Sequence, residues 1–90
     1  MTEKDLIPGT VVQHFKRKML TEAERADSTQ YLYEILGVAH HTETGEKLVV
    51  YRALYGEGKI CARPLDMFLS ETDHEKYPQA EQKFRFEPLK

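Results

Sequence analysis

Between residues 31 and 55 the chain reads YLYEILGVAHH, then TETGEK, then LVVYRALY, two apolar and β-branched runs around a short polar one that holds a glycine. Such runs, bounded by turn residues, predict two strands joined as a hairpin. With Glu43 and Thr44 in the helical positions of a type I turn and Gly45 in the left-handed one, Thr42 is set to pair with Glu46. The strands then oppose Ala39 to Val49, Gly37 to Tyr51, Ile35 to Ala53 and Tyr33 to Tyr55, an apolar and aromatic face. Tyr51 would cover backbone that Gly37 leaves bare. The other face sets His40 against Leu48, Val38 against Val50, Leu36 against Arg52 and Glu34 against Leu54.

Upstream, Pro8-Gly9 turns the chain into Thr10–Phe15, a β-branched alternating run that reads as a first strand. Residues 17–30 are a polar excursion. The spacing Thr21-x-x-Glu24 is a capping box, which predicts a short helix within 20–29, although Met19, Leu20, Ala23 and Ala26 give it little to bury. Downstream, Gly56-Glu57-Gly58 leads into Lys59–Arg63, a strand that Pro64 ends for want of an N–H donor. Pro64 in a first helical position, followed by Leu65, Met67, Phe68 and Leu69, predicts one or two helical turns. A polar loop follows, and Phe84 and Phe86 alternating with Arg85 read as a last strand. The pattern as a whole predicts a mainly β fold. We expect a twisted antiparallel sheet of about five short strands, curled into a partly open barrel, with one short helix after Pro64. Residues 1–8 read as a flexible start and 9–87 as one domain.

A chain of 90 residues supports one modest core. Its net charge of −2 provides no overall basic field, so generic DNA binding is not expected. The opening MTEKDLIPG has charge where a signal peptide needs an apolar stretch, and no segment approaches a membrane span; a cytoplasmic protein away from membranes is the expectation. Cys61 is the one cysteine, which excludes an internal disulfide and a C-x-x-C site and leaves a small buried hydrophobe as the expected role.

Candidate chemistry is sparse. Consecutive side chains of a strand point to opposite faces, so His40 and His41 do not chelate one ion. His41 and Glu43 share a side, with His14 as a third group, but a hairpin tip is normally solvated; neither metal nor cofactor is expected. Tyr33, Tyr51, Tyr55 and His41, with Lys47 opposite His41, form the densest cluster. They read either as a core whose hydroxyls reach the rim or as a shallow pocket for a planar or anionic ligand, with Arg52 or Arg63 supplying a charged fork. There is no glycine-rich phosphate loop, H-E-x-x-H or nucleophile elbow. A non-catalytic binding module for a small ligand, a nucleic-acid segment or a peptide is therefore the leading expectation. The alternative is a small hydrolase or transferase with His14, His41 and Glu43 as acid and base. Leu36, Val38, Leu48, Val50 and Leu54 on the second hairpin face need a cover, and a homodimer is one way to supply it.

The joint presence of Gly9, His14-Phe15-Lys16, Tyr33 to Ala39, His41 to Thr44, Leu48 to Tyr51, Ala53 to Gly56 and Arg63-Pro64-Leu65-x-Met67-Phe68 resembles the bacterial domain-of-unknown-function family 1653. The likeness covers most of residues 9–69. It implies a small bacterial domain with a β-rich, SH3-like barrel and brings no assigned activity. The family's motif positions map to His14, Phe15, Lys16, His41, Glu43, Tyr51, Tyr55, Arg63 and Pro64. Between Lys16 and Tyr31 the chain departs from the family pattern, where the connection is shorter and carries glycine. Ligand-binding candidates from both readings are His14, Lys16, Tyr33, His41, Glu43, Tyr51, Tyr55 and Arg63.

Overall fold

In the computed structural model, which describes residues 1–89, the apolar runs become five strands. These are β1 (Val11–His14), β2 (Leu32–His40), β3 (Lys47–Ala53), β4 (Ile60–Pro64) and β5 (Phe86–Pro88). All pair antiparallel in one sheet of order β4-β3-β2-β1-β5. Two short helices, α1 (Glu22–Ala26) and α2 (Leu65–Phe68), occupy the excursion and the segment after Pro64, and 3-10 turns form at Glu3–Asp5 and Phe15–Met19. The mainly β antiparallel architecture expected from the sequence is present, with both short helices. The pairing stops at β4 and β5, so the described residues form an open sheet and no SH3-like closure is seen in the strand pairing. Among the described residues no helix is long and apolar enough to cross a membrane.

One face of the sheet buries Val12, Ile35, Val49, Tyr51 and Phe86, and α2 covers it with Phe68. The Phe68 and Phe86 rings stack nearly parallel with centroids 4.1 Å apart, and Phe68 is wholly buried. Each such side chain contributes about 1.5–3 kcal/mol on leaving water. The segment read as a flexible start carries its 3-10 turn and puts Leu6 into this core.

The hairpin differs from the expected one in loop length and register. His41, not Thr42, pairs with Glu46: the His41 N–H donates to the Glu46 carbonyl at 2.7 Å, and the Gly45 N–H to the His41 carbonyl at 2.8 Å. The longer loop wins because side chains cap it. His41 Nδ1 accepts from the N–H groups of Glu43 (3.2 Å) and Thr44 (3.4 Å), and the Thr44 hydroxyl accepts from Glu46 N–H (3.1 Å). Gly45 takes the expected left-handed conformation, at φ 77°. Past the tip Val38 opposes Val49 and Gly37 opposes Val50; a bulge at Leu36 then shifts the pairing, so Ile35 faces Tyr51, Glu34 faces Arg52 and Tyr33 faces Ala53. The extra residue changes which parity points inward. Val38 packs against the core for this reason and does not belong to the second face.

Pro64 caps α2 from outside with ψ 138° and does not take the first helical position. The capping box at Thr21 and Glu24 forms, with bonds of 2.8 and 3.1 Å. None of the α1 residues is buried. Arginine bonds tie the excursion down in place of apolar packing: Arg17 donates to the carbonyls of Ser28, Gln30 and Arg25, and Arg25 to that of Lys18.

Candidate functional site

Arg63 is carried near the end of edge strand β4, opposite Val49. Its Nε donates to the Tyr51 hydroxyl at 3.4 Å, and its guanidinium carbon lies 5.7 Å from the centroid of Phe86. The side chain is thereby held across the face of the core, with a depression on either side of it.

The first depression, of about 580 Å³, is lined by Tyr33, Tyr51, Tyr55, Cys61, Lys59 and Arg63, among others. Alternation on β2 and β3 sets Tyr33 and Tyr51 edge to face at 5.4 Å. Tyr55 follows β3 and returns its hydroxyl to that of Tyr33 at 2.6 Å. Burial, then the bond to Tyr55, raises the Tyr33 phenol well above its ordinary range, so it serves as a neutral hydrogen-bonding group. Cys61 is half-buried, partly packed on the core and partly open to this depression.

The second depression, of about 380 Å³, lies at the end of β1. His14, Lys16 and Arg63 line it, and so do Lys76, Tyr77 and Arg85 from the C-terminal third of the chain. Gln82, 1% exposed, anchors the segment that carries Arg85: its Nε2 donates to the carbonyls of Gln13, Phe84 and Arg85, which ties the tail to β1. Phe15 N–H donates to the Arg85 carbonyl and Arg85 N–H to that of Ser70, each at 3.0 Å. The Lys16 and Lys76 ammonium groups lie 5.6 and 5.5 Å from the centroid of Tyr77. His14 is lowered to about 4, first by burial and then by Lys16, Arg63 and Arg85. Its Nδ1 accepts from Lys16 N–H at 3.2 Å, which leaves Nε2–H as the donor of the neutral ring. The one carboxylate of the lining belongs to Asp73, whose Oδ1 accepts from the N–H groups of Glu75 and Lys76. Among the described residues the ion pairs are Lys18–Glu87, Lys47–Glu3 and Arg52–Glu34, so the four cations of this pocket have no acidic partner there.

The sequence candidates thus divide. Tyr33, Tyr51, Tyr55 and Arg63 meet in the first depression, and His14, Lys16 and Arg63 in the second. His41 and Glu43 stay at the hairpin tip, where the imidazole caps the turn. β1 pairs with the opening residues of the 9-residue β2, and His41 follows its far end, so His14 and His41 lie about 30 Å apart at about 3.3 Å per residue. The His14, His41 and Glu43 acid-base cluster is not assembled. Lys47 opposes His40, not His41, and pairs with Glu3; Arg52 is engaged by Glu34. Among the described residues no three His, Cys, Asp or Glu side chains gather as metal ligands. Lys76, Tyr77 and Arg85 were not candidates from sequence. Two signals could have pointed to them: Arg85 between Phe84 and Phe86, and a lone aromatic, Tyr77, in an otherwise polar run.

No curated protein and no solved structure matches the chain. A family model described as protein of unknown function (DUF1653) matches residues 10–88, a longer stretch than the motifs around the hairpin and running past Arg85 and Phe86. That match spans most of the sequence, both depressions included, and the chain belongs to the DUF1653 family.

Proposed function

We propose that this protein is a non-catalytic binding module whose ligand is a small planar anion, held in the groove that Arg63 runs through. The observation that carries the reading is the position of that guanidinium, which lines both depressions and so stands between three tyrosine rings and three further cations. Concave sites with apolar walls and a few convergent polar groups are the usual form of small-molecule sites. Tyrosine rings offer flat faces and hydroxyls, and a guanidinium meets an anion with a planar fork. A long nucleic-acid backbone is a poorer fit, since the unpaired cations fill one pocket on a chain of net charge −2. Catalysis by histidine and glutamate is disfavoured by the distance between His14 and His41.

NMR shift mapping with pooled planar metabolites, nucleotides and short RNA tests the reading. Resonances of Tyr33, Tyr51, Tyr55 and Arg63 should move together, and Arg63→Gln should weaken the effect about tenfold, the loss of one charge-assisted contact. Shifts confined to the hairpin tip, or an Arg63→Gln variant that binds as well as the parent, would remove it.

A further inference from the structure

We propose that the pocket at the end of β1 is a phosphate subsite, built for a phosphomonoester dianion and formed by His14, Lys16, Arg63, Lys76 and Arg85. Through Arg63 it deepens the reading of the groove as a ligand site, naming phosphate as the anionic part of that ligand.

The charge balance chooses a dianion. Four cations face one carboxylate, and that carboxylate is already occupied in shaping its own turn. A monoanion such as a carboxylate would leave most of this charge unneutralised, whereas a phosphate group brings about −1.5 to −2 and three acceptor oxygens. The lining supplies two guanidiniums, two ammoniums and an imidazole, all donors to an anion. The guanidiniums are held in advance, Arg63 by Tyr51 and Phe86, and Arg85 by Ser70 Oγ at 3.4 Å from its Nε. Pre-positioning lowers the ordering cost of binding.

The histidine adds a further expectation. In the free protein the low value of His14 keeps its ring neutral across pH 5.5–7.5. The other charged and titratable groups facing the pocket are Lys16, Arg63, Asp73, Lys76, Tyr77 and Arg85. What changes there is the ligand, whose second ionisation falls near pH 6, so binding of a phosphomonoester should tighten about fourfold from pH 5.5 to 7.5. A titrating His14 would drive the dependence the other way.

The experiment uses the whole chain and three probes followed by amide and side-chain NMR shifts: inorganic phosphate, a nucleoside, and the corresponding nucleoside monophosphate. Inorganic phosphate should move Lys16, Lys76 and Arg85. The monophosphate should bind at least tenfold tighter than the nucleoside and show the rise with pH. Lys76→Gln and Arg85→Gln should each weaken phosphate binding about tenfold; Lys76 is exposed, so its variant keeps the test open should Arg85→Gln not fold. Phosphate binding without any nucleoside effect at the tyrosines upholds the subsite and overturns the planar-ligand reading. A nucleoside that moves Tyr55 while phosphate moves nothing overturns the subsite and leaves that reading standing. Phosphate binding unaffected by both variants also overturns the subsite.

Discussion

Burial disfavours the charged form of an imidazole, and three cations near it add to the cost: His14 falls from 6.5 to about 4. The unfolded chain therefore takes up this proton first. Stability attributable to His14 is fully present above about pH 6.5 and is lost as pH falls through 4, on the order of 1–2 kcal/mol after allowance for its partial exposure. Urea unfolding at pH 7 and pH 4.5 should show a smaller loss in His14→Gln than in the parent. Phe15 and Phe68 are buried, and alanine at either should cost about 3–5 kcal/mol in the same assay. Exposed Met67→Ala should stay within about 0.5 kcal/mol. At this scale the tyrosines and Arg63 were legible because strand alternation alone puts them on one face or at one end. Lys76 and Arg85 were not, because nothing local says where a polar tail will come to rest.

Among the elements, the hairpin separates what is local from what is not. Its two strands and its left-handed glycine follow from composition, yet the loop is one residue longer than expected because His41, Thr44 and the backbone satisfy one another within it. Small differences in such local bonds decide between loop lengths, and the bulge at Leu36 then moves the pairing once more. His41→Ala should destabilise the protein by about 0.5–1.5 kcal/mol, the value of a hydrogen bond of this kind, while leaving phosphate binding unchanged. The excursion behaves in the opposite way: its capping box was readable residue by residue, but its anchoring through Arg17 was not. Arg17→Met should raise hydrogen exchange over residues 22–30 and leave the midpoint of global unfolding nearly in place, since α1 buries nothing.

For the whole molecule the deciding contact is between the first strand and the last, a pairing no short window of sequence contains. Phe86 brings its ring onto Phe68 and Gln82 draws the tail to the carbonyl of Gln13, so truncation after Lys83 should abolish cooperative unfolding and leave a species that binds apolar dyes. The same pairing orders events in time. During synthesis β1 to β4 leave the ribosome before Arg85 and β5, at about 5–20 residues per second. Until then His14, Lys16 and Arg63 have no Arg85 to complete their cluster. The cationic cluster therefore assembles only after Arg85 has been made, and a chain stopped before it carries His14, Lys16 and Arg63 without the guanidinium that completes the pocket.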